Sequence, residues 1–120
     1  MRYLVLLRGL QPDTPPPAEL MAAIMALGDE ATKAGVLLDT AGLAPSAAGA
    51  RVGLAGGQLS VTDGPFTEAK EMISYALYQV RSKDEAVEWT SRFIKLHRDH
   101  WAGWEGEAEV LQVFGADDHA

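Results

Sequence analysis

The chain has 120 residues, enough for one domain around a single core. Its 17 acidic residues against 10 basic ones give a net charge of −7, with no long run of Lys and Arg, which argues against nucleic-acid binding and against attraction to anionic membranes. There is no cysteine, so disulfides, thiolate nucleophiles and cysteine-based zinc sites are excluded.

Tyr3-Leu4-Val5-Leu6-Leu7 is a continuous apolar run, the pattern of a central strand buried on both faces. Bounded by Arg2 and Arg8, it is too short for the apolar region of a signal peptide or for a membrane span, and a cytoplasmic location is expected. A proline-rich connection, Pro12 to Pro17, leads to a helix that Asp13 or Thr14 is expected to cap. Leu20, Ile24, Leu27 and Ala31 form its apolar stripe, with Met21 and Met25 beside it, and Gly35 ends it after Lys33.

Val36-Leu37-Leu38 begins a second strand, and the small residues of Thr40 to Ala50 read as loop. Gly56-Gly57 is a two-residue turn signal. Folding about it sets Leu54 opposite Leu59, Val52 opposite Val61, and Arg51 opposite Thr62. Met72 to Val80 is a further strand. Ser82 with Glu85 three residues later is a capping box for a second helix, which buries Ala86, Val87, Thr90, Phe93, Ile94 and His97. Glu107 to Phe114 makes the last strand, and residues 116–120 read as a flexible tail.

The order β-α-β, hairpin, β-α-β predicts an α+β domain over residues 1–115. It has two ferredoxin-like split βαβ halves with an inserted β-hairpin, and an antiparallel sheet with both helices on one face. The other face, lined by Tyr75, Leu77, Val52 and Leu54, is left bare, which predicts a homodimer packed through its sheets.

The segment with the most chemistry is Val61 to Glu71, where Gly64 and Pro65 form a stiff turn beside Asp63, Glu68, Lys70 and Glu71. Asp63-Gly64-Pro65-Phe66 with Glu68, Lys70 and Glu71 resembles the signature of the DGPF family within the YCII-related proteins. Ala34 to Leu38, Ser82 to Ala86 and Glu109 to Phe114 fit the same family in the same order. The resemblance implies a dimeric α/β-barrel with a cleft in each half. Related YCII proteins carry a His and Asp pair, and one branch eliminates chloride from an aromatic ring. Members encoded beside alternative sigma factors hint at regulation. This chain departs from the enzyme pattern: Ala18 to Ile24 holds no histidine, and only Asp99 stands near the place of that branch's aspartate.

Asp63 is the family-matched acid or base, and the alternative is a brace that accepts hydrogen bonds from turn amides. Glu68 and Lys70 are candidates for holding a polar ligand, Lys70 as its anion contact, or for surface ion pairs; Glu71 is read as a surface charge. Phe66 is a core plug or one wall of an aromatic pocket. Arg51 is a possible ion-pair partner of Asp63 and a ligand contact, and Trp101, with Trp104, closes over a ligand or fills a dimer contact. His97, Asp99 and His100 suggest a metal, but histidine at a helix C-terminus has a simpler cause in the helix dipole, and no metal or cofactor is expected. Two functions follow: a non-catalytic ligand-binding or regulatory dimer with its cleft near the Asp63 turn, or a cofactor-independent proton-transfer or elimination enzyme using Asp63.

Overall fold

The computed structural model describes residues 1–67 and 70–115. The expected tail at 116–120 lies outside them. The elements run β1 (Arg2–Leu10), α1 (Ala18–Lys33), β2 (Leu37–Gly42), a short 3-10 turn (Ser46–Ala48), β3 (Ala50–Ala55), β4 (Gln58–Asp63), β5 (Glu71–Gln79), α2 (Lys83–His100) and β6 (Glu105–Gln112). Four strands form one antiparallel sheet in the order β2-β5-β1-β6, and β3 and β4 form a separate two-stranded sheet. The α+β class and the antiparallel sheet are therefore as the sequence predicts. No described helix is long and apolar enough to cross a membrane.

β1 sits in the middle of the sheet, pairing with β5 on one side and β6 on the other. Its burial alternates: Tyr3, Val5 and Leu7 are buried and Leu4, Leu6 and Arg8 are half-buried. The run that reads as buried on both faces is thus covered on one face only. The helices lie on the Tyr3 side, where Tyr78, Val80 and Ala86 complete the core cluster, with Trp89, Ala108 and Val110 packed against it. Burial pushes the Tyr78 phenol up from its ordinary pKa.

The opposite face carries Leu4 beside Leu77 and Leu111, and Leu6 beside Tyr75 and Glu109. Tyr75 donates a 2.8 Å hydrogen bond to Asp39 across this face. Val52 and Leu54, expected on this face, belong instead to the separate hairpin.

α1 starts at Ala18 with Pro17 as its N-cap, and neither Asp13 nor Thr14 caps it. Pro17 sets φ at −60°, and its missing amide is no loss at a helix start. The other end closes as expected: Gly35, at φ 74°, turns the chain, and the Val36 amide donates to the Ala31 carbonyl. In α2 the Ser82 hydroxyl accepts from the Glu85 amide at 3.1 Å. Ala86, Thr90 and His97 are buried, whereas Val87 points outward and is exposed. Arg92 of α2 pairs with Glu30 of α1 and lies over the Trp89 ring.

His97 is a packing residue. Its ring lies between Phe93, which it meets edge to face, and Trp104, which it meets tilted, with centroids 4.8 and 4.4 Å away, and its Nδ1 lies 3.0 Å from the Phe93 carbonyl oxygen. Burial pushes its pKa below the ordinary value, and the Phe93 hydrogen bond opposes this more weakly. The folded ring is therefore neutral where an unfolded histidine, titrating near about 6.5, begins to charge. Its contribution to stability is complete above that pH and is lost as the pH falls through the folded value. Urea unfolding at about pH 7.5 and about pH 5 should show a larger loss of stability for the native chain than for His97→Gln. Equal losses in the two proteins would rule out burial of this ring as the cause.

Candidate functional site

The 3-10 turn Ser46–Ala48 follows β2 and faces the turn that leaves β4. Gly64 donates its amide to the Gly49 carbonyl at 2.9 Å, and the Gly64–Pro65 peptide is cis. A Cβ built on Gly64 would overlap the Ser46 carbonyl oxygen, so only glycine fits there. The Ser46 amide and hydroxyl both donate to one oxygen of Glu71, at 2.9 and 2.8 Å, and the Ser46 hydroxyl accepts from the Phe66 amide at 3.1 Å. One carboxylate at the start of β5 thus holds both turns. Glu71, expected as a surface charge, is a half-buried brace.

Between these turns and the end of the sheet lies a cleft of about 430 Å³. Arg8, Ser46, Arg51, Phe66, Lys70 and Met72 line it, with Pro45 and Glu71. The volume is that of a small-molecule site. The Arg51 guanidinium stacks on the Phe66 ring, 4.2 Å from its centroid, a cation–π contact that joins the root of the hairpin to the turn. Lys70 Nζ lies 3.8 Å from Glu107 Oε1, and Arg8 Nε lies 3.3 Å from Glu109 Oε1, so β6 anchors two of the cleft's cations. Arg8 and Met72 are register partners on the helix-free face of the sheet, and the cleft borders that face.

The fold therefore gathers Arg51, Phe66 and Lys70 of the expected residues around one cavity. It does not bring Asp63 or Trp101 to it. Asp63 ends β4 opposite Ala50 and is exposed. Trp101 is buried at the far end of α2, where its Nε1 donates to the Thr14 hydroxyl at 3.3 Å. Trp104 packs on Gly9 and Gly106 and against His97, so both indoles are used within this chain. Asp99 is exposed at the end of α2, and its hydrogen bond from Arg98 holds it below the usual carboxylate range. Glu68 lies outside the described residues. Among those described, no three His, Asp or Glu side chains converge as a metal site.

Ser46 and Arg8 are the polar cleft residues that sequence reasoning passes over without a role. Ser46 lies in a stretch whose composition says only loop, though Pro45 before a serine is a turn-opening signal. Arg8 reads as the boundary of an apolar run, because the strand's extension to Leu10 has no hydrophobic signature.

Gly64→Ala tests the fit of the two turns. It should lower unfolding stability by about 1–3 kcal/mol in urea titrations, because the added methyl must push the backbones apart. Gly42→Ala, where a Cβ would meet open space, is the control and should shift stability by under about 0.5 kcal/mol.

No curated protein matches the chain significantly. The YCII-related domain family matches residues 1–105, a span that takes in every element through α2 together with the whole cleft. The chain belongs to the YCII-related domain family.

Proposed function

We propose that this protein is a homodimer of the DGPF type that binds a small anionic molecule, such as a carboxylate, in the cleft beside Phe66, without catalysing its turnover. The observation that carries the reading is the composition of the cleft wall. In a chain of net charge −7, Arg8, Arg51 and Lys70 converge on one cavity, and Glu71, the one acidic residue among its described lining, is engaged by Ser46. Cations at a partly apolar wall with an aromatic face suit a carboxylate attached to a flat or apolar body.

Binding is favoured over turnover by the same inventory. The described lining offers no uncommitted acid or base: Glu71 is held by two hydrogen bonds, and Asp63 is exposed and outside the lining. A ligand-responsive dimer acting in regulation fits this better than proton transfer by Asp63. The strand order β2-β5-β1-β6, with both helices on one side, supports a ferredoxin-like half. The helix-free face with Leu4, Leu6, Leu77 and Leu111 supports pairing of two sheets into a dimeric barrel, which sets the cleft at the edge of the seam.

The test is a thermal-shift screen of small carboxylates against their amides, followed by calorimetry on the hits. Carboxylates should raise the melting temperature and amides should not. Arg51→Ala and Lys70→Ala should each weaken binding about 10- to 100-fold, the loss of one charge-assisted contact. Affinity unchanged in both variants, or no carboxylate that stabilises the native chain, would reject the reading.

A further inference from the structure

The hairpin β3–β4 has two unlike faces. The cross-strand pairs Val52–Val61 and Leu54–Leu59 lie on one, and Arg51–Thr62 and Gly53–Ser60 on the other. Among the described residues nothing covers the apolar face: Val52 and Leu54 are each 70% exposed, Leu59 76% and Val61 72%. Among the described elements the two strands pair with each other and make no extensive contact with another helix or strand.

The arm makes the molecule flat and wide, 47 × 46 × 18 Å. The radius of gyration is 16.3 Å, against about 14 Å for a compact chain of this length. A two-stranded hairpin with a bare apolar face is marginally stable in water and needs a further layer to pack on.

We propose that the apolar face of this arm is an interface covered by a second copy of the chain. The inference rests on the dimer reading above and adds to it a second contact, outside the four-stranded sheet. Two features favour this chain as the occupant. First, Val52 to Thr62 contains no charged residue, so the net charge of −7, which opposes self-association elsewhere, is silent along the arm. A charged partner protein or a membrane surface would find no complementary charge there.

Second, the area suffices. Each arm exposes an apolar patch of roughly 400–500 Å², a size at which exposed patches are often functional. Two arms, each covered by an equal area of the opposite copy, bury on the order of 1,800 Å² in total, within the range of stable interfaces. The two-fold relation of such a pair doubles every contact. The face ends at the root in the pair Ala50–Asp63, so the covering copy reaches the exposed Asp63 carboxylate and the edge of the cleft that Ala50 lines.

Sedimentation velocity over about 1–100 µM tests the proposal on the native chain and on Leu54→Thr/Leu59→Thr, a pair that keeps the preference for strand while removing the apolar surface. The native chain should be a dimer. The double variant should dissociate at least about a hundredfold more readily, with an unchanged circular dichroism spectrum. Val52→Thr/Val61→Thr repeats the test nearer the root and replaces the first pair if that one fails to fold. A native dimer that neither pair weakens would overturn the arm's role and leave the sheet-to-sheet dimer standing. A native chain that stays monomeric throughout would overturn both, and would leave the arm to a different partner.

Discussion

The fit of Gly64 against Ser46 is the contact on which the cleft end of the molecule depends. Two backbone turns, one after β2 and one after β4, approach so closely that no side chain can stand between them. Glu71 then closes the joint through Ser46, and Phe66 joins it through its own amide. A hydrogen bond to a charged group is stronger than one between neutral groups, and here both come from one residue to one oxygen. The joint decides where the hairpin leaves the sheet and where the Phe66 ring lies. Arg51 follows, because it stacks on that ring. The wall of the cleft is thus set by backbone packing rather than by the residues that face its interior.

How much of this was legible in the sequence depends on range. The hairpin register was readable to the residue, because Gly56-Gly57 fixes the turn and the alternation of Val and Leu fixes the face. The Ser82 cap and the Gly35 stop were readable for the same reason: each is settled within a few neighbouring residues. The brace between Glu71 and Ser46 spans 25 positions and leaves no local trace, so Glu71 looked like any surface acid. β2 runs on to Gly42 through Asp39 and Thr40 because β5 supplies its hydrogen bonds, which override weak strand preference. The packing of the tryptophans is likewise set by residues remote in sequence. Large aromatic rings near a glycine loop suggest a ligand lid or a dimer contact; within the chain Trp104 fills the gap between α2, Gly9 and Gly106, and Trp101 reaches Thr14.

The charge distribution gives the site its character. The acidic excess is spread over the surface, while the cleft collects three cations, two of them anchored by Glu107 and Glu109 on β6. Those pairs, whose carboxylates are exposed, contribute little to folding. Their effect is to hold two long side chains near the cavity, which would lower the entropy lost on binding the anion proposed above. The signature turn and the last strand, distant in sequence, therefore act on the same small volume.

The place of β1 in the sheet has a consequence for how the chain is made. This first strand lies between β5 and β6, with Tyr3 registered to Gln112 at the other end of the sequence. On the ribosome it is complete long before either neighbour exists. Until β6 is released, one edge of an apolar strand has no hydrogen-bonding partner, the condition under which strands join the wrong chain. Closing the sheet therefore waits until β6 has been made, and contacts of such long sequence separation form slowly.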